Sequence, residues 1–448
     1  MITTITKRDG RTVHFDINKI ASAIEKAFAA TIGKKDYAIC LALAQEVSDI
    51  FEEKQIDSPT VEQIQDTVER VLINHGHVRT AKAYILYRAE RTRVRNMNDR
   101  LMKTFEDITY KDATDSDIKR ENANIDGNTA MGSMLKYGSE GAKHFYESYV
   151  LNPAHSEAHR NGDIHIHDLD FYTLTTTCCQ IDLIKLFHDG FSTGHGVLRE
   201  PNDIASYSAL ACIAIQSNQN DQHGGQSIPD FDYAMAPGVR KTYRSLYIQN
   251  LGKMINLLKD IEDGEEIAGS VLKQIEKEKG AVPSMADESD YIAVEREYLK
   301  EYLKEDEIEK VQRYAKKYAD KEIERSTYQA MEALVHNLNT MHSRAGAQIP
   351  FSSINYGTDT SPEGRLVMEC VLKATEAGLG GGETPIFPIH IFKVKEGVNY
   401  NPEDPNYDLF RLACRVSAKR LFPNFSFIDA PFNLQYYDPK DHNTEVAY

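Results

Sequence analysis

The stretch richest in groups that can move a proton or a hydrogen atom is residues 161–183, NGDIHIHDLDFYTLTTTCCQIDL. It sets His165, His167, Asp168 and Asp170 a few positions ahead of an adjacent thiol pair, Cys178 and Cys179. DIHIHDLDF alternates, which predicts an extended segment with His165, His167 and Leu169 on one face and Ile166, Asp168 and Asp170 on the other. Two histidines at i, i+2 can ligate a metal from one face; equally, they can be one packed and one surface imidazole. TTTCCQIDL is rich in strand-forming residues. Successive strand residues point to opposite faces, so only one of the two thiols is expected in any one pocket. A thiol suits hydrogen-atom donation because its S–H bond is weaker than the O–H bond of a hydroxyl.

A second chemistry is anion binding. Lys7 and Arg8 lie in ITKRDG, a short strand running into an Asp9-Gly10 turn. Lys19 follows Asp16, which stands where a helix cap belongs. Cations at a strand turn and a helix start make a workable triphosphate cradle. In residues 121–132, ENANIDGNTAMG, the side chains of Asn122, Asn124, Asp126 and Thr129 with two glycines make a poor helix interior. Such a stretch suits phosphate or ribose recognition, and a plain turn is the other reading. In HGGQS at 223–227, Gly224 and Gly225 permit close backbone approach. GLGGG at 378–382 is no phosphate loop, since it precedes a strand and no GK[ST] follows.

The elements that would position these groups can be read from periodicity. Asp16 opens a helix carrying Ile17, Ile20, Ile24, Ala27 and Phe28; a second helix spans about 37–51, with Leu41, Val47 and Ile50 on its apolar side. Ser58 as cap with Pro59 at the first helical position begins a third, closed by Gly76. A fourth starts near Val78 and continues through the basic run RAERTRVRNMND, a solvated face or a lever between domains. Residues 251–341 read as charged, exposed helices with opposite charges three and four apart, a scaffold or interface without coiled-coil heptads. Beyond them a strand (IPFSSINYG), a helix (EGRLVMECVLKATEAGL) and a buried strand (IFPIHIFKV) alternate as in an α/β fold.

Bulk properties narrow the function classes. A chain of 448 residues holds about three units at ~150 residues each. Net charge −16 with no domain-wide basic surface argues against general nucleic-acid binding. No apolar run is long enough to span a bilayer and no signal-peptide core is evident, so a cytoplasmic setting with reduced thiols is expected. The six cysteines form no CxxC, so no metal site is expected in this chain.

KRDG at 7–10, FDINKI at 15–20, TVEQIQDTVERVL at 60–72 and TAKAYILYR at 80–88 closely resemble the ATP-cone, a nucleotide-sensing domain of many ribonucleotide reductases. The resemblance implies an ATP-cone over residues 1–92 that binds ATP or dATP through Lys7, Arg8, Asp16, Lys19, Gln65 and Lys82. From about residue 95 onward, ENANIDGNT, EAHRNGDIHIHDLDF, CCQIDL and SRAGAQIPFSSINYGTD together resemble anaerobic (class III) ribonucleoside-triphosphate reductases, which are glycyl-radical enzymes. That implies the first part of a ten-stranded α/β barrel over 93–448, reducing ribonucleoside triphosphates to their 2′-deoxy forms. In that family a thiyl radical takes the ribose 3′ hydrogen, and a cysteine on a facing strand helps remove the 2′-hydroxyl as water. The offset from IDL maps that strand cysteine onto Cys178, leaving Cys179 turned into the sheet and His165 near the substrate. Asn122, Asn124, Asp126, Thr129, Gly224, Gly225 and Gln226 are implied substrate contacts, with HGGQS closing over the substrate. Residues 187–227 are implied at a dimer interface where an effector nucleotide sets substrate choice.

The resemblance also implies formate as reductant, a radical-SAM activating enzyme, dNTP effectors, and a homodimer or higher oligomer. Its finger-loop cysteine, a four-cysteine zinc site and the radical glycine are expected beyond Tyr448, so the chain reads as C-terminally truncated and inactive alone. Two other readings compete: a glycyl-radical lyase, against which the cone argues, and a non-catalytic nucleotide-sensing protein, whose known cone-bearing forms are short and carry a zinc ribbon.

Overall fold

The computed structural model describes residues 2–7, 10–33, 36–110, 129–286, 289–343 and 348–445, with backbone alone at 94, 96–99 and 289. It has two compact units, Met1–Lys111 with Glu140–Asp170, and Asp112–Ser139 with Phe171–Tyr448.

The first unit opens with an antiparallel hairpin, β1 (Thr4–Thr6) and β2 (Thr12–His14), followed by α1 (Ile17–Ala29), α2 (Tyr37–Glu53), α3 (Val61–Asn74) and α4 (Val78–Tyr110). Asp16 caps α1 as expected, accepting from the Asn18 N–H at 3.0 Å. Ile20, Ile24, Phe28, Val47, Val68 and Leu72 form the buried core. Leu41 is exposed; Leu43 and Ala44 face inward instead. Helix α3 begins two residues later than Ser58-Pro59 predicts. Thr60 and Gln63 form a reciprocal capping box, satisfying two backbone donors at once, and that outweighs proline's preference for the first helical position.

Helix α5 (Ala130–Phe145) continues as a π-helix over Tyr146–Val150, and α6 (Pro153–Asn161) follows with Asn152 as its cap. Gly162 at φ 81° ends α6. The alternating DIHIHDLDF is not extended. It turns, with Asp168 left-handed at φ 50°, and closes in a 3-10 turn over Leu169–Phe171. Local bonding explains the departure: His159 Nδ1 accepts from the Ile166 N–H at 3.2 Å, folding the chain back on α6. His165 and His167 therefore do not share a strand face.

The second unit is built on a five-stranded parallel sheet, ordered β3 (Thr177–Gln180), β6 (His223–Ile228), β7 (Ser352–Tyr356), β8 (Ile389–Val394) and β9 (Asn424–Phe427). Between β3 and β6 lie α7 (Leu183–Asp189), a short hairpin of β4 (Phe191–Ser192) and β5 (Val197–Leu198), and α8 (Ile204–Asp221). Between β6 and β7 run α9 (Phe231–Lys259), α10 (Gly264–Lys279), α11 (Ser289–Leu299) and α12 (Glu305–Thr340). Then α13 (Pro362–Ala377) precedes β8, α14 (Tyr407–Arg420) precedes β9, and α15 (Pro431–Leu434) follows it. Helical crossovers are what parallel strands require. Helix α12 is less exposed than its charge suggests, since Ile308, Val311, Ala315, Ile323, Met331 and Leu334 bury a continuous stripe. Its inward positions include small residues such as Ala315 and Ala319, which weaken the periodic signal. HGGQS forms most of β6, the second strand of this sheet: it pairs with β3 from His223 to Ser227, and from Gln226 onward it also pairs with β7. No described helix is long and apolar enough to cross a membrane.

Candidate active site

Cys178 sits where the β3–β6 register slips, between Thr177 and Cys179. Its φ of 60° is left-handed, uncommon for a residue with a side chain and a mark of backbone held by its surroundings. Gly224, itself at φ 92°, makes room for this geometry: a Cβ there would stand 2.8 Å from the Cys178 nitrogen and 2.9 Å from its sulfur. The next residue, Gly225, donates its N–H to Cys178 Sγ at 3.3 Å. Cys178 is exposed and Cys179 half-buried.

The bulge breaks strict alternation. Both cysteines border a cavity of about 740 Å³, together with Gln180, Ser227, Ser353 and Asn424 from four strands. The expectation that the two cannot share a pocket is therefore corrected, although their sulfurs differ. Cys179 Sγ accepts from Asn218 Nδ2 at 3.0 Å and donates to Gln226 Oε1 at 3.5 Å. Burial pushes its pKa up, against the lowering effect of the Asn218 bond. The end of α8 supplies two more amides. Gln219 bonds the Gly224 carbonyl at 2.9 Å and takes the Phe351 N–H at 3.0 Å, and Gln222 bonds Thr176 Oγ1 at 2.7 Å.

At the carboxyl ends of the strands lies a second, fully buried polar group. Asp232 Oδ2 accepts three successive backbone N–H groups, from Gly357, Thr358 and Asp359, at 2.9, 3.0 and 3.0 Å. Lys393, wholly buried, donates to Glu445 Oε2 at 2.8 Å and to the Pro229 carbonyl at 3.2 Å. Burial raises the Glu445 carboxyl, but His442, Lys393 and Thr358 outweigh it and bring the pKa down to about 2. Among the described residues neither carboxylate oxygen of Asp230 has a hydrogen-bond partner, and burial pushes its pKa up to about 7 despite Lys393.

The first unit holds its own cavity, about 900 Å³, bordered by Asp16, Lys19 and Lys26 of the α1 region and Gln65 of α3. Arg88, Arg91 and Arg95 of α4 complete it. Spaced three and four apart, they form one face of the helix. Asp16, Lys19 and Gln65 are thus brought together as expected, while Lys7 and Lys82 are exposed and off this lining. The amide groups of α8, the arginine row and the Lys393–Glu445 pair escaped the sequence reading. RAERTRVR and QSNQNDQ carry the first two as patterns; the third joins positions 52 residues apart and has no local signal.

Of the other expected residues, Thr129 caps α5, its hydroxyl accepting the Gly132 N–H at 3.0 Å. Gln226 is fully buried and holds Cys179. Arg8, Asn122, Asn124 and Asp126 lie outside the described residues. His165, in the first unit, is exposed with its ring 5.7 Å from that of His159. Among the described residues no group of three or more His, Cys, Asp or Glu side chains could hold a metal.

Comparison with known proteins completes the picture. The family model described as anaerobic ribonucleoside-triphosphate reductase matches residues 121–448, and that of the ATP cone domain matches 3–93. The anaerobic ribonucleoside-triphosphate reductase of Haemophilus influenzae is 28% identical over 423 residues, covering 94% of this chain and 51% of its own. The ribonucleoside-diphosphate reductase subunit alpha of Chlamydia muridarum is 44% identical over 102 residues, 21% of this chain and 10% of its own. A crystal structure of the anaerobic ribonucleotide reductase from Thermotoga maritima in complex with dATP and CTP aligns at a TM-score of 0.42 and 12% identity, covering 76% of this chain and 51% of that one. The chain spans about half the length of the anaerobic relatives it matches. With one family matched from 121 to its end and an ATP cone ahead of it, the chain belongs to the anaerobic ribonucleoside-triphosphate reductases.

Proposed function

We propose that this chain is the effector-binding and substrate-facing part of an enzyme that reduces ribonucleoside triphosphates to 2′-deoxyribonucleoside triphosphates. The observation that supports it most is the Cys178 thiol, exposed at the rim of a cavity by a bulge that Gly224 accommodates. In this reading the Cys178 S–H gives a hydrogen atom to the ribose radical left when the 2′-hydroxyl departs as water, and formate, oxidised to carbon dioxide, returns the two reducing equivalents that restore the thiol and complete the reduction. The radical that begins the reaction, of glycyl origin and relayed by a thiyl, is supplied by residues other than those described. What this chain contributes is orientation: Gly225 directs the sulfur, the α8 amides fix the bulge, and Cys179, bonded to Asn218 and Gln226, anchors the strand beside it. Asn122, Asn124, Asp126 and Thr129 are assigned to the substrate, and His165 to its vicinity, on the motif resemblance. No described residues suit the family's zinc, and no step here depends on it.

The cone cavity is the second half of the proposal. Five cations around a void that also offers Gln65 suit the triphosphate of ATP or dATP, held by charge-assisted bonds. Formate as reductant, a radical-SAM activating enzyme and a homodimeric or larger assembly belong to the same reading, supported by family membership.

The test is made in a catalytically complete enzyme containing this chain. Cys178→Ala should abolish deoxyribonucleotide formation, whereas Cys179→Ala should retain turnover with reduced stability. Turnover by Cys178→Ala would overturn the assignment.

A further inference from the structure

Arg88, Arg91 and Arg95 face the cone cavity, and between them on α4 stands Arg93, whose side chain turns another way. Residues two apart on a helix are separated by about 200°. The Arg93 guanidinium reaches the π-helix Tyr146–Val150, donating to the Ser148 carbonyl at 2.9 Å and the Glu147 carbonyl at 3.4 Å. Glu90 holds it in place through two bonds, at 2.9 and 2.7 Å. Carbonyls near the end of a helix lack an N–H partner ahead of them, so an arginine there fills a structural need. The Ser156 hydroxyl donates to the same Glu147 carbonyl at 3.0 Å, tying α6 to that point. Beyond α6 the chain passes through Gly162 into the segment of His165 and on toward β3.

On the cavity side, Arg88 is engaged before any nucleotide arrives. It bonds Asp66 and, at 2.9 Å, Glu69, both on α3. A triphosphate in the cavity competes with these carboxylates for the guanidinium. Bound and free states then differ in how α4 is held, which is the differential interaction a conformational response requires.

We infer that Arg93 couples the cone cavity to residues 146–161: nucleotide drawn onto one face of α4 changes the grip of Arg93 on the π-helix carbonyls behind it. The inference rests on the proposed binding of ATP or dATP at the cone. Coupling of this kind commonly changes an equilibrium by about 5- to 150-fold.

Hydrogen exchange on the 448-residue chain, with and without dATP, tests it. Wild type should show a dATP-dependent change in exchange both at 16–27 and at 146–161. Arg93→Met should keep the change at 16–27 and saturable dATP binding, and lose the change at 146–161; Arg93→Lys should restore part of it. Glu90→Gln, which loosens the guanidinium without removing it, should weaken the distal response and serves if Arg93→Met does not fold. A distal change that persists in Arg93→Met and Glu90→Gln overturns the inference. So does a wild-type cone that binds dATP with no change at 146–161. A cone with no dATP binding at all instead refutes the proposed function on which the inference stands.

Discussion

Replacing Gly224 by alanine probes the bulge that presents Cys178. Two costs can be separated. At φ 92° a Cβ is strained, which in the left-handed region costs about 1–2 kcal/mol. The added carbon would also stand 2.8 Å from a backbone nitrogen and 2.9 Å from the Cys178 sulfur. Relieving such overpacking costs about 1–3 kcal/mol more. The total is about 2–5 kcal/mol. Gly382, at φ 84° with nothing within 4 Å of its Cβ position, supplies the control. Gly382→Ala should show the strain alone, about 1–2 kcal/mol. Urea unfolding of the two variants gives the difference, and iodoacetamide labelling resolved by peptide mass spectrometry reports the thiols. Wild-type Cys178 should label faster than Cys179, and Gly224→Ala should change that ratio while Gly382→Ala leaves it. Equal destabilisation by the two variants, with unchanged labelling, would refute the claim that Gly224 is there to admit Cys178.

Two further predictions concern the buried charges. Lys393→Met leaves Glu445 without its buried cation and should cost about 3–5 kcal/mol, whereas adding Glu445→Leu should recover most of that loss; an additive double variant would contradict the pairing. For Asp230, burial lifts the folded pKa to about 7, above its unfolded value of 3.8. Between those values the folded state binds more protons than the unfolded one, so this group's contribution to stability falls as pH rises through that window. Asp230→Asn removes the dependence. Its stability relative to wild type should climb by about 3–4 kcal/mol between pH 4 and pH 7 and level off above. A difference flat with pH in paired urea titrations would show that Asp230 is not titrating there.

Much of the cone was legible because its signals are local. Asp16 caps the first helix, and periodic apolar positions such as Ile20, Ile24 and Phe28 mark the buried face. At the start of α3 two capping signals overlap, and the reciprocal Thr60–Gln63 pair prevails over Ser58-Pro59. DIHIHDLDF illustrates a different limit. Alternation predicts an extended segment only where a neighbouring strand can take its hydrogen bonds; here the Ile166 N–H goes to His159 and the chain turns. The cysteine pair was found by residue type, yet its geometry was not readable. The bulge depends on Gly224, 46 residues away from Cys178, approaching closely enough to exclude a Cβ. The arginine row lay in a run read as either a solvated face or a lever. One face of it borders the same cavity as Lys19 and Lys26, which is what places it in the proposed nucleotide site.

The most direct test of the account is calorimetry of the 448-residue chain with dATP. It should show saturable binding, and Lys19→Met and Arg91→Met should each weaken it by about 10- to 150-fold, the loss of one charged hydrogen bond worth about 1.5–3 kcal/mol. An absence of binding heat, or affinity unchanged in both variants, would contradict the assignment of this cavity as the nucleotide site.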